Sequence, residues 1–382
     1  MAIRTAQRLE KFPEYVFSRL AKEVAEVEKK SGRKVLNLGM GIPDVKPSAK
    51  YMEKLGEFIL AKDSHVYPGY GAVPEFTKAL QEWYLSRFNV SLSSDEIFPL
   101  LGAKDATGHL PLALLDVGDE LLVPDPGYPG FSGPVTMIGA VPVPYTLSAE
   151  NDFKIDVSEL ERKVTERTKG IYINFPSNPT GQVITKEELQ PIVAFAKKHS
   201  IALLYDNAYG EVTFDGFVAP SVLEIEGAKD VAVELGSFSK SFSFAGFRMG
   251  FVVGNKELIS ALAKVKSQVD SGLSLSFQRI GAYALSNPDE EWGNAMIQSY
   301  QERRDSIVKY LQTLGLSFTL PKGGLYIWAK TPDTAKDSET FARELLHEKQ
   351  VLVTPGVAFG QAGDRYVRVS ICTNIDKIAD YF

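Results

Sequence analysis

Between residues 96 and 254 the chain alternates short apolar runs with helix-length segments, and each run stops at a glycine, a proline or a small polar residue. The runs are 96–101, 120–123, 171–175, 201–205 and 231–235. Continuously apolar strands of this length, separated by stretches such as the helical 186–199, predict an α/β fold. Its sheet should be mainly parallel, with helices covering both faces. A sheet of this kind gathers its strand-end turns along one edge, where open α/β sheets form their ligand crevice. The residues that follow each run therefore carry the functional reading.

The rest of the chain fits one large unit and a smaller one. An amphipathic helix is predicted over 15–31, with Val16, Leu20, Val24 and Val27 on one face and Gly32 as its stop. Beyond about 284 the pattern changes to a long polar helix (288–314), the segment KGGLYIWAK, a helix over 338–349 and strands at 351–353 and 366–371. The expectation is a large domain over 46–284 and a smaller α+β domain built from 1–45 and 285–382, suiting a length of 382 residues.

Several function classes fall away. A net charge of -6 gives no basic footprint for nucleic acid and no polybasic membrane patch. The single Cys372 rules out an internal disulfide, and the four histidines lack ligand spacing, so no metal site is expected. No apolar run approaches the roughly 20 residues of a membrane helix, and the first residues show no export signal. A cytoplasmic setting is expected. Gly39 and Gly41 form G-x-G, but no third glycine follows and Pro43 interrupts, which argues against a dinucleotide site.

The stretch VAVELGSFSKSFSFAGFRMGFVVG, 231–254, sets Lys240 among Ser237, Ser239, Ser241 and Ser243, with Arg248 beyond. So many serines and glycines predict a turn-forming loop between two strands. A lysine held there can serve as an amine nucleophile. Serine hydroxyls and an arginine fork suit a phosphate, and a helix start at Gly102, Ala103 and Lys104 offers it backbone N–H groups. Together these suggest pyridoxal 5'-phosphate. Tyr128 offers a ring face, Asp206 an anion for a pyridine nitrogen, and Asn178 and Tyr209 hydrogen bonds to a phenolate oxygen. Each taken alone has a plain structural explanation as a core aromatic, turn former, cap or solvated charge. Their shared position after strand ends joins them.

The set Asn178-Pro179-Thr180-Gly181, Asp206-x-x-Tyr209, Ser237-x-Ser239-Lys240, Arg248 and Arg368-Val-Ser resembles the class I/II, fold type I, aspartate-aminotransferase-like family over nearly the whole chain. The resemblance implies an aminotransferase that passes an amino group from an L-amino acid to a 2-oxo acid, with 2-oxoglutarate the usual acceptor. It implies Lys240 as the lysine in imine linkage to the cofactor, assisted by Asp206 and Tyr209. Arg368 is implied to grip the substrate α-carboxylate, with help from the Gly41 backbone. Tyr67 is implied to reach the phosphate of the neighbouring subunit in a homodimer. PEYVFSRL and LGMGIPD are similar to the alanine and LL-diaminopimelate aminotransferase group, and Tyr15 falls where the second type has a substrate-contacting tyrosine. Departures are Lys104 in place of a small hydroxyl residue, Ala72 in place of a glycine, and Ser271 where an asparagine is expected. The donor stays open among alanine, aspartate and LL-diaminopimelate. A same-fold lyase, decarboxylase or aminocyclopropane-carboxylate-synthase-like enzyme shares every cofactor residue, and a cofactor-binding regulator remains a remote alternative.

Overall fold

The computed structural model describes residues 3–12, 16–376 and 378–382. Its centre is a seven-stranded sheet of β2 (Ile97–Leu100), β3 (Glu120–Asp125), β4 (Val141–Thr146), β5 (Thr168–Asn174), β6 (Ala202–Asp206), β7 (Ala232–Ser237) and β8 (Gly250–Gly254). The spatial order is β2-β8-β7-β6-β5-β3-β4. Pairing is parallel except where β8 lies antiparallel between β2 and β7. Because β8 runs backwards, its start faces the same edge as the ends of the other strands. Arg248, just before β8, thus arrives at the crevice from the opposite chain direction.

Successive strand residues feed two buried layers. Leu121, Tyr172, Leu204 and Val233 pack in one with Ala106 and Leu110 of α4 (Ala103–Leu114), Phe131 of α5 (Pro129–Met137) and Leu262 of α9 (Lys256–Lys266). Leu122, Ile171, Leu203 and Phe251 pack in the other with α3 (Pro74–Phe88), α7 (Lys186–His199) and α10 (Leu275–Ser286). Burial on both faces accounts for the unbroken apolar runs.

Two features were not foreseen. The edge strand β4 has sequence VPVPYT, and its two prolines mask it from a propensity reading. An edge position tolerates them because the missing N–H groups are not needed by a further neighbour. After Tyr128, the proline-glycine stretch begins α5 with Pro129 as its first residue, where a fixed φ and missing N–H cost nothing.

The N-terminal and C-terminal regions interlock. Helix α1 (Val16–Ser31) buries Leu20 and Val27 against Leu346 of α12 (Ser338–Lys349), and β1 (Leu36–Asn37) pairs in parallel with β11 (Val351–Leu352). The four-stranded sheet β12 (Thr354–Pro355), β13 (Tyr366–Ser370), β10 (Tyr326–Lys330) and β9 (Ser317–Phe318) completes this side. Helices α2 (Ala49–Ile59), α6 (Val157–Lys163), the one-turn α8 (Phe238–Ser241) and the long α11 (Glu290–Thr313) account for the remaining α-helices among the described residues.

Gly250 shows how closely fold and crevice are fitted. A Cβ there would stand 2.8 Å from the Ala103 nitrogen, 2.9 Å from the Gly102 carbonyl carbon and 2.9 Å from the Gly236 oxygen. All three are backbone atoms and cannot swing aside. Gly250→Ala should therefore destabilise the protein by about 1–3 kcal/mol and push the Gly102 turn out of place. Urea unfolding checks the first effect, and cofactor affinity the second.

Candidate active site

The crevice along the strand ends holds a cavity of about 360 Å³ lined by residues from both termini and the central sheet. A larger concavity of about 1000 Å³ lies between α3 and the start of α11, but the groups able to do chemistry together converge in the smaller one. Gly41, Ala103, Lys104, Tyr128, Asn178, Asp206, Tyr209, Ser237, Ser239, Lys240, Arg248 and Arg368 all line it, and Gly102 abuts Arg248 beside it. Tyr67 does not; it is 82% exposed. Tyr15 lies outside the described residues.

One end is built for an anion. Helix α4 begins at Ala103, and its first N–H groups have no partner within the helix, so they form a positive terminus. Gly102 precedes it at φ 82°, and a Cβ at that position would stand 2.8 Å from Arg248 Nη2. Only glycine both adopts this backbone and leaves the guanidinium its place. Ser237 and Ser239, both buried, complete this end. Here the expected loop is corrected. Lys240 rides on the helical turn α8, which forms because Ser237 caps it, its hydroxyl accepting from the Ser239 N–H at 3.3 Å.

The middle is a buried acid facing an amine. Asp206 ends β6, with Oδ1 accepting from the Ala208 N–H at 3.2 Å. Burial pushes its carboxyl up to about 6, while the Ala208 N–H and the Lys240 charge pull the other way. Lys240, half-buried, directs Nζ to within 3.5 Å of the Gly41 carbonyl and 5.6 Å of the Tyr209 ring centre. Tyr209 is pushed well above its usual pKa by burial, with Tyr326 adding to the effect, so its hydroxyl stays protonated.

The far end holds a fixed guanidinium. Arg368, 3% exposed, donates from Nη1 to Asn178 Oδ1 at 2.9 Å and from Nη2 to the Gly39 carbonyl at 2.8 Å. Its ζ-carbon lies 4.1 Å from the Tyr326 ring centre and 4.6 Å from that of Phe359. Sequence reasoning missed Tyr326 and Phe359. The first sits in a segment that reads as a plain apolar strand, and the second in a short turn with no pattern of its own.

Outside the cavity, Asp105, His109 and Asp270 bring ligand atoms within 4.8 Å of one another. Lys266 Nζ already stands between the carboxylates, 2.5 Å from Asp105 Oδ2 and 2.6 Å from Asp270 Oδ2. Histidine spacing along the chain could not reveal this group, because Asp270 comes from a distant segment.

An anion cradle, an acid facing an amine, and a guanidinium beyond them are the parts of a pyridoxal-phosphate-dependent enzyme of fold type I. The model of the "Aminotransferase class I and II" family matches residues 33–380. The chain belongs to that family, and it is a pyridoxal-phosphate-dependent aminotransferase. It is 36% identical to an LL-diaminopimelate aminotransferase of Desulforudis audaxviator over 381 residues, covering 100% of this chain and 96% of the relative. Apo-BacF of Bacillus subtilis superposes with a TM-score of 0.94 at 35% identity, over 100% of this chain and 97% of the other. A Thermus thermophilus aspartate aminotransferase double mutant gives 0.92 at 28%, over 100% and 98%. Among the described residues, no helix is long and apolar enough to cross a membrane.

The Asp206 carboxyl has a consequence for the cofactor-free protein. Well below pH 3.8 it is protonated in both states. Between its ordinary value of 3.8 and about 6 the native protein keeps a proton that the unfolded chain releases, so stability falls as pH rises. Above pH 6 the cost is complete, at ~3 kcal/mol for a shift of this size. Cofactor-free Asp206→Asn should match wild type near pH 4 and exceed it near pH 8, as urea unfolding at the two pH values would show.

Proposed function

We propose that this aminotransferase takes LL-diaminopimelate as amino donor and 2-oxoglutarate as acceptor, with Lys240 as the lysine that carries the cofactor. The observation that supports the cofactor assignment most directly is the Gly102 turn, whose φ of 82° suits glycine and where a Cβ would displace the Arg248 guanidinium. The residues present fit the group. Gly102, Ala103, Lys104, Ser237, Ser239 and Arg248 would hold its phosphate. Tyr128, half-buried beside Lys104, would face its ring, and Asp206 would keep the ring nitrogen protonated, a charge that answers a buried carboxylate. Asn178 and Tyr209 would bond the ring oxygen. When bound, the cofactor supplies an electron-poor ring that accepts the electron pair left at the substrate carbon.

The chain's own groups then divide the work. Arg368 and the Gly41 backbone hold the α-carboxylate, and the planar fork fixes its orientation. Lys240 Nζ is the base for the proton on the substrate α-carbon and later the acid that returns one. Tyr15 is assigned to substrate on the family resemblance alone. Tyr67, exposed on its own subunit, would complete the site of a partner in a cytoplasmic homodimer. The division into 46–284 and 1–45 with 285–382 belongs to this proposal. One buried layer runs across that boundary, from Leu38 and Leu100 to Ile307 and Val369, so the two units would share packing rather than stand apart.

The choice of donor rests on the relatives' names and on the charge in the cavity. LL-diaminopimelate carries a carboxylate at each end. Besides Arg368, Lys240 and Arg248 the cavity presents a fourth cation, the side chain of Lys104, whose backbone alone is given to the phosphate and whose Nζ lies 5.8 Å from the Tyr128 ring centre. Borohydride treatment should fix the cofactor on the peptide bearing Lys240; an adduct on another lysine would refute that assignment. Lys104→Ser should raise KM about tenfold for LL-diaminopimelate and leave alanine nearly unchanged, the loss of one charge-assisted contact. Equal effects on both substrates in steady-state assays would remove the distal-carboxylate role.

A further inference from the structure

Tyr326 touches three of the groups given roles above, although nothing in the motif pattern singles it out. It opens β10, which pairs antiparallel with β13 so that Tyr326 faces Ser370 and Trp328 faces Arg368. Residues two apart on a strand share a face, so Tyr326 stands diagonally beside Arg368. Its ring lies 4.1 Å from the Arg368 ζ-carbon, with Phe359 at 4.6 Å completing the cage. Its oxygen lies 3.4 Å from the Tyr209 oxygen. A Cβ on Gly41 would overlap the Tyr326 hydroxyl. The side chain is 4% exposed, so these contacts are made away from bulk water.

We propose that Tyr326 is a positioning residue with two separable tasks: its ring fixes the Arg368 fork, and its hydroxyl fixes the direction of the Tyr209 proton. The inference rests on the reading of Lys240, Tyr209 and Arg368 given above. A guanidinium between two rings is restrained from tilting, and the attraction is stronger in a desolvated setting. Asn178 and Gly39 fix the fork within its plane, and the rings fix the plane itself. The second task follows from hydroxyl chemistry. Each phenol has one proton and can also accept. Once Tyr209 commits its proton to the ring oxygen of the cofactor, the Tyr326 hydroxyl is left as donor to Tyr209. That donation makes Tyr209 a better donor in turn. At 3.4 Å the contact is long for two hydroxyls, so its effect is modest.

Two substitutions separate the tasks in the holoenzyme. Tyr326→Phe keeps the ring and removes the hydroxyl. Tyr326→Met removes the ring but fills much of the space with a pliable apolar chain. The readouts are the pH titration of the bound cofactor's absorbance and the Kd for pimelate, a dicarboxylate without amines. In Tyr326→Phe a weaker Tyr209 bond leaves more charge on the ring oxygen, so the adjacent proton is held more tightly. The titration midpoint should rise by about half a pH unit, with pimelate affinity within about twofold of wild type. In Tyr326→Met pimelate should bind about tenfold more weakly. An unmoved midpoint in the first variant overturns the hydroxyl task, and unchanged pimelate affinity in the second overturns the ring task. If Tyr326→Met does not fold, Tyr326→Leu takes its place for the ring. Lys240→Ala and Arg368→Lys serve as controls. They should abolish the pH-dependent band and weaken pimelate, respectively; wild-type behaviour in either would remove the underlying reading and this inference with it.

Discussion

A guanidinium that is 3% exposed must be surrounded on purpose, because a buried cation without partners is costly. Around Arg368 the partners come from four separate parts of the chain. Gly39 lies on the N-terminal stretch, Asn178 after β5, Tyr326 on β10 and Phe359 on the turn before β13. The N-terminal stretch is drawn into the site by this demand and is held there by the pairing of β1 with β11. Thr354 reinforces the same stretch just beyond β1, its hydroxyl donating to the Gly39 carbonyl at 2.8 Å. Satisfying one charge thus brings four distant segments to the same end of the crevice.

The parallel sheet and the placement of chemistry at its edge were readable from sequence because both follow from short-range pattern. Apolar runs of strand length between helices permit few arrangements, and strand-end turns need small or polar residues whatever else they do. Lys240, Asp206, Asn178 and Tyr128 therefore announced themselves by position. The bounds of α7 and α12 match the expected ranges because a capping residue opens each: Thr185 in one, Asp337 in the other. The helical turn under Lys240 was hidden. Its composition reads as loop, and four residues are too few for periodicity to overrule that. Tyr326 was hidden for a different reason. Its importance lies in what it faces across β13, and no property of one strand reports the register of another.

The acid and the arginine differ in how the fold answers their charge. Arg368 is fixed by directional bonds and by rings, whereas the Asp206 carboxyl has the Ala208 N–H and the charge of Lys240 set against its burial. A site so arranged favours a cationic partner at Asp206 more strongly than it holds the free acid in ionised form. Ligand binding there would return stability that the bare fold gives up as pH rises from about 4 to about 6.

The turn at Gly102 is tied to the rest of the chain through buried charges as well as through packing. Asp105, in the first turn of α4, accepts from the Leu101 N–H at 2.9 Å and so fixes the turn that leads into Gly102. The same Oδ2 oxygen meets Lys266 Nζ, which reaches on to Asp270, and Asp270 Oδ1 accepts from the Gly272 N–H at 2.8 Å. Gly272, at φ 87°, lies so close to the Gly69 carbonyl that a Cβ would stand 2.5 Å from it. The loop holding Gly69 carries Tyr67. One buried lysine therefore joins the turn at Gly102 to the segment packed against the loop that carries the exposed Tyr67. A charge pair removed from water holds its geometry more firmly than a surface pair, provided every partner is present. Two ion pairs of Lys266 and two backbone hydrogen bonds, to Asp105 and to Asp270, thus stand between Gly102 and the Gly69 loop.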